Sequence, residues 1–195
     1  MPGETTTRPM DAMELLLGRA SAAALAAPAP DQAALDAIFA SAMRAPDHGR
    51  LRPWHFLVVP AERRARFGEL LAESLARREP AATEPMLQRE RDKALRAPMI
   101  VVASTRLQES RKVPAVEQRA STAAAVQNIL LAAHALGYGA MWKTGGAAYD
   151  AGVRAALGLG ADEEISGFIY LGTPAGEPSP ARRPVAAEHV SVWQG

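Results

Sequence analysis

Residues 43–56, MRAPDHGRLRPWHF, place Arg44, Arg50, Arg52, the pair Asp47-His48 and Trp54 in one short stretch with Pro46 and Pro53. Guanidinium forks and an imidazole suit the clustered oxygens of an anion such as phosphate. A large aromatic beside them suits a planar body, so the chemistry indicated is capture of an anionic, planar group. Further donors stand at the expected ends of other elements: Arg19 and Ser21, then Trp142, Lys143 and Thr144, then Arg182 and Arg183. Taken singly, each is more often a solvated charge, or a cation offsetting a helix C-terminus, than a ligand contact. Only their combination carries weight.

Other chemistries are poorly served. Cysteine is absent, which removes disulfides, thiolate catalysis, iron–sulfur clusters and cysteine-bound zinc, so redox work requires a bound cofactor. GYGAMW (137–142) and GLGADE (158–163) both lack the third glycine of a dinucleotide-binding turn. No GK[ST] loop occurs, no G-x-S-x-G elbow occurs, and His48, His55, His134 and His189 show no metal-binding spacing. A net charge of +1 gives no sign of a nucleic-acid coat. Asp11 and Glu14 interrupt the N-terminal apolar residues, and no stretch approaches a membrane span. A cytoplasmic protein with no membrane or nucleic-acid partner is expected.

The elements that must position these residues follow from periodicity. The 195 residues fit one domain, 48% apolar and 22% charged. Helices are predicted over 10–20, over 31–45 with Asp31 as cap, near 61–79 and 86–96, over 116–137 and over 149–159. Strands are predicted at 54–59, 99–104, 138–144 and 165–174. MIVVAS (99–104) has no alternation, so both of its faces should be covered. The helix over 116–137 is apolar nearly all round from Ala120, which fits either a central core helix or a dimer interface. HVSVW, inside the proline-rich tail 175–195, has strand character, and the tail is expected to lie over a partner subunit. Residues 1–9 are expected to be unstructured. About four strands among six helices, with paired helices in two of the segments between strands, fit an α+β, three-layer α/β/α domain with a small central sheet.

Together these segments resemble the FMN-dependent nitroreductase family, notably its compact bacterial members. The likeness runs from Met10 to the tail: MDAMELLLGRAS where the family has an arginine-rich R-x-S segment, MRAPDHGRLRPWHF where it has an A-P-x…x-P-W-x-F loop, then MWKTG and YLGTP. The resemblance implies a mainly antiparallel sheet, FMN held non-covalently at a homodimer interface, and ping-pong hydride transfer from NADH or NADPH to small nitroaromatic, quinone or related acceptors. It implies that Arg19 and Ser21 bind phosphate or ribityl oxygens, with Arg44 and His48 completing that end. Trp142, Lys143 and Thr144 would approach the ring or ribityl chain from the partner or the far side of the cleft. Arg182 resembles a tail arginine that reaches the phosphate in larger members.

Arg44 is expected to be anchored by packing as it closes its helix, and His48 to donate from a neutral imidazole. Arg50 should be exposed, and Pro53-Trp54 should pack. Ala20 stands where the family has a second arginine, Lys143 where close relatives have arginine, and DHGRLR where the common loop has Ser and Asn. No acid–base catalyst is evident. Dehalogenation, flavin fragmentation, or a non-catalytic helical interaction protein are the alternatives.

Overall fold

Asp11 opens the first helix, α1 (Ala12–Gly18), its carboxylate accepting the Met13 amide at 2.9 Å. Asp31 opens α2 (Gln32–Ala42) as the sequence predicts, accepting from the Ala34 amide at 2.8 Å. Between them lies a two-residue strand, β1 (Leu25–Ala26), too short to leave a periodicity. The computed structural model describes residues 11–176 and 183–195. Residues 1–9 and Arg182, for which expectations were stated, lie outside them.

The remaining elements are β2 (Trp54–Val59), α3 (Arg64–Arg78), α4 (Glu84–Lys93), β3 (Met99–Arg106), α5 (Ala115–Ala135), β4 (Gly139–Lys143), α6 (Ala151–Ala156) and β5 (Glu163–Pro174). The sheet runs β2-β3-β5, and every pairing is antiparallel. The far edge of β5 is shared: β4 pairs with residues 168–172 and β1 with Thr173 and Pro174. Only so long a last strand can carry both.

Alternation along the strands divides two cores. Met99, Val101, Ala103, Ile169 and Leu171 meet α2 and α5 on one face. Ile100, Val102, Phe168 and Tyr170 meet α3, α6 and the end of α4 on the other. Both faces of β3 are therefore covered, as its unbroken apolar run requires. The result is the three-layer α/β/α arrangement, with five strands instead of four.

α5 enters the first core through Ala125, Val126, Ile129, Leu130 and Ala133. Its buried polar groups are satisfied: the Gln118 side chain bonds to the Gln108 and Val113 backbone, and Ser121 Oγ donates to Pro46 O at 2.7 Å. Within one chain it is thus a central core helix. The tail corrects one expectation, because HVSVW forms no strand: Val190, Val192 and Trp193 are exposed and irregular. A strand needs a sheet edge to pair with, and among the described residues this run pairs with none.

Candidate functional site

The residues between α1 and β1 form one wall of a cavity of about 200 Å³. Arg19 and Ser21 line it, facing Leu130 and His134 of α5, then Tyr138 and Gly139. Gly139 makes this possible. A Cβ there would lie 2.6 Å from the Leu25 side chain and 2.9 Å from that of Ala22, so no other residue lets the segment lie against the strand. The Ala22 amide donates to Ala140 O at 3.0 Å and fixes the segment's height on β4. Arg183 ties down the same segment by donating to Leu17 O at 3.1 Å and Arg19 O at 2.9 Å, satisfying carbonyls at the end of α1. The Arg19 guanidinium itself has no partner among the described residues. His134 and Tyr138 were not singled out from sequence; their only signal was a place near the end of the helix facing that segment.

The loop after α2 is built around Asp47. Its carboxylate accepts the amides of Leu51 at 3.2 Å and Arg52 at 2.8 Å. Arg50 and Arg52 are held in the left-handed region, at φ 56° and 50°. Two non-glycine residues in that region store strain that the surroundings must impose, and such strain concentrates at functional sites. Gly49, at φ 74°, has room for no side chain, since a Cβ would come within 2.9 Å of Val113.

α2 stops at Ala42, so Arg44 does not close it; Arg44 is exposed and unpaired among the described residues, and its stem is not anchored as expected. Arg50 is exposed, as expected. His48 sits with Nδ1 2.6 Å from Glu117 Oε2. When Nδ1–H donates to that carboxylate, Nε2 of the neutral ring can only accept. Donation to an anion then requires the protonated ring, which corrects the expectation of a neutral donor. Trp54 packs against the first core and donates its indole N–H to Met43 Sδ at 3.2 Å.

The third group ends β4. Trp142 lies across Gly167, where a Cβ would fall 2.2 Å from the indole nitrogen, and its N–H is already given to Ser166 O at 3.1 Å. The residue is 37% exposed, so the ring surface is what remains available. Lys143 and Thr144 line a different cavity, of about 460 Å³, on the second face of the sheet. Along β4, Lys143 is ~10 Å from Ala140.

Two buried carboxylates serve the frame. Burial alone would raise the Glu163 carboxyl, but donors from Ser104 (2.7 Å), His55 (2.9 Å) and Arg106 (2.9 Å) outweigh it and hold it at about 2. Asp150 behaves likewise: burial opposes ionisation, while Arg77, Ser74 and two amides at the start of α6 bring it to about 2.

Within one chain these groups do not meet. The His48 loop touches α5 at Glu117, and the Arg19 cavity touches it at His134. Seventeen residues of helix place those points ~25 Å apart, further than a mononucleotide reaches. His48, paired with Glu117, thus stands near the start of the helix, and the Arg19 guanidinium, unpaired among the described residues, near its end.

A family model described as the nitroreductase family matches residues 16–173. YdjA of Escherichia coli K12, provisionally named an NAD(P)H nitroreductase, is 39% identical over 165 residues, covering 85% of this chain and 89% of YdjA. A provisionally named nitroreductase from Desulfovibrio desulfuricans, solved with FMN, is 27% identical with a TM-score of 0.71, covering 97% of this chain and 100% of that one. A variant of the FMN- and NADPH-dependent nitroreductase NfnB from Sphigopyxis sp. strain HMH is 25% identical with a TM-score of 0.76, covering 95% and 99%. The matched span takes in all five strands and both helical layers, and the chain belongs to the nitroreductase family.

Proposed function

We propose that the chain is an FMN-dependent oxidoreductase. It passes hydride from NADH or NADPH to flat acceptors such as nitroaromatics or quinones, and it works as a homodimer. The observation that carries this is the separation of Arg19 and Ser21 from Arg44 and His48 along α5. Each set is incomplete alone, and a two-fold partner laying its α5 antiparallel to the first brings one set from each chain together.

The donor set fits FMN. Arg19 offers a guanidinium without a competing carboxylate, and Ser21 offers a hydroxyl on the same cavity wall; a phosphate with a polyol chain takes both. Bound FMN supplies the hydride chemistry, which is why the chain needs no acid–base catalyst of its own.

The chain's residues bind and orient. Arg19 and Ser21 hold phosphate or ribityl oxygens, and Arg183 keeps their segment in place. Arg44 of the second chain adds positive charge, and His48 adds an imidazole oriented by Glu117. Trp142, its N–H tied to Ser166, offers a ring surface, and Lys143 and Thr144 offer donors beyond it. Arg182 is kept as a phosphate contact from the tail. No helix among the described residues is long and apolar enough to cross a membrane, and a nicotinamide donor favours the cytoplasm.

The visible absorption spectrum of the purified protein tests the reading. Flavin bands, bleached by NADH or NADPH and restored by a nitroaromatic or quinone, are expected. A colourless protein that cannot be reconstituted with FMN overturns it.

A further inference from the structure

We infer that Arg50 and Arg52 recognise the ribose 2′-phosphate of the nicotinamide donor, so that the chain selects NADPH over NADH. This rests on the flavin reading, which leaves both residues without a task. Both are exposed, and neither guanidinium has a carboxylate partner among the described residues. Both stand at positive φ, 56° and 50°, which an arginine adopts only when its surroundings impose it. Those surroundings hold the turn from two sides: Asp47 accepts the amides of Leu51 and Arg52, and Gln108 Nε2 donates to Leu51 O at 2.7 Å. Packing does not call for arginine here. Glycine or asparagine suits the left-handed region better, and both side chains lie in solvent. What arginine adds is a pair of guanidinium forks whose stems start from a fixed backbone, so less ordering is lost when they close on an anion.

Charge identifies the anion. The segment 108–113 lies along the turn: Gln108 meets Leu51, and a Cβ on Gly49 would come 2.9 Å from the Val113 side chain. Between those contacts stand Arg111 and Lys112, also exposed and without a carboxylate partner among the described residues. The nearby carboxylates are directed elsewhere, Asp47 to two amides and Glu117 to His48, and Glu109 is left uncommitted. A dinucleotide's diphosphate carries one charge on each phosphate, which two cations answer. Four free cationic heads suit the same diphosphate with a phosphate monoester added, which brings about 1.5–2 further negative charges and three acceptor oxygens. Planar forks match those oxygens. Position agrees. Arg52 follows His48 by four residues, a span of at most ~14 Å, so a donor whose nicotinamide lies over a flavin held by His48 carries its adenosine end toward this turn.

The test has a binding arm and a kinetic arm, both on the full chain with excess FMN. Calorimetric titration compares adenosine 2′,5′-bisphosphate, which carries the 2′-phosphate but no nicotinamide, with adenosine 5′-monophosphate. The bisphosphate should bind at least about ten-fold more tightly, and Arg50→Gln/Arg52→Gln should remove most of that difference at unchanged melting temperature. In stopped-flow reduction of the flavin, the NADPH-to-NADH ratio of second-order rate constants should be at least about ten and should fall roughly ten-fold in the same variant, with flavin content kept. Arg63→Gln/Arg89→Gln removes the same charge on the α3–α4 side and should leave both ratios as they were. The inference is overturned by equal affinity for the two nucleotides, by a rate ratio near one, by ratios unchanged in the Arg50 and Arg52 variant, or by an equal fall in the control. Inorganic phosphate competing as well as the bisphosphate shows a general anion patch and also overturns it. The nucleotide titration is read on yellow or colourless protein alike, whereas the flavin reading falls on colour, so the two failures are distinct.

Discussion

If one flavin is held by Arg19 and Ser21 of one chain and by Arg44 and His48 of another, two crippled chains can repair each other. Arg19→Ala/Ser21→Ala removes a charge-assisted hydrogen bond worth about 1.5–3 kcal/mol and a neutral one worth about 1 kcal/mol, weakening FMN roughly a hundred- to a thousand-fold. Arg44→Ala/His48→Ala strips donors of the same kind from the other set and should lose flavin to a similar order. Mixed in equal amounts and allowed to exchange subunits, the two variants form about half heterodimers, and each heterodimer has one site with every donor and one with none. About a quarter of the sites are then whole. After gel filtration to remove loose FMN, flavin absorbance per chain should reach about a quarter of the wild-type value, and NAD(P)H oxidation should recover in proportion. Donors acting within a single chain give no whole site in any dimer. A mixture holding no more flavin than its parents therefore refutes the shared site, whatever the oligomeric state.

Glu163→Gln tests the frame. Lowering this carboxyl from its ordinary value of 4.5 to about 2 is worth up to about 3 kcal/mol at neutral pH. Because the folded value is the depressed one, that stability is present above the ordinary value and is lost as pH falls toward the folded one. The gap between wild type and variant in urea unfolding should thus close toward zero in acid, and a gap independent of pH would contradict it. Asp47→Ala tests the loop: it removes a negative charge near the proposed anion but frees the amides of Leu51 and Arg52, so FMN affinity should fall, by about 1–2 kcal/mol. A rise in affinity would show that Asp47 acts by charge alone.

What could be read in the sequence was what depends on local pattern. The apolar run at 99–104, the cap at Asp31 and the long helix α5 follow from neighbours within a turn or two, and they stand where expected. β1 was illegible because two residues carry no period, and it exists only because β5 outruns β4. The supposed strand in HVSVW had the composition of a strand but no edge to meet. At the site, residue types were legible and their relations were not. That Asp47 organises the loop, that Glu117 claims one nitrogen of His48, and that Arg183 spends itself on the carbonyls of Leu17 and Arg19 are all matters of which donor reaches which acceptor across the fold. The Arg44 expectation failed for a local reason, since α2 ends at Ala42, three residues earlier than the sequence pattern implied.

β4 has a consequence for how such a protein changes over time. Its residues alternate between chambers: Ala140 and Trp142 stand opposite Leu171 and Ile169 on the α5 face, while Met141 and Lys143 stand opposite Tyr170 and Phe168 on the other. One five-residue strand therefore forms part of the wall of two rooms, and the sheet between them insulates each from the other's packing. Substitutions at every second position can reshape one room while the other keeps its contents. A change at Lys143 can thus alter the α3–α4 side while the packing of Ala140 beside α5 is kept.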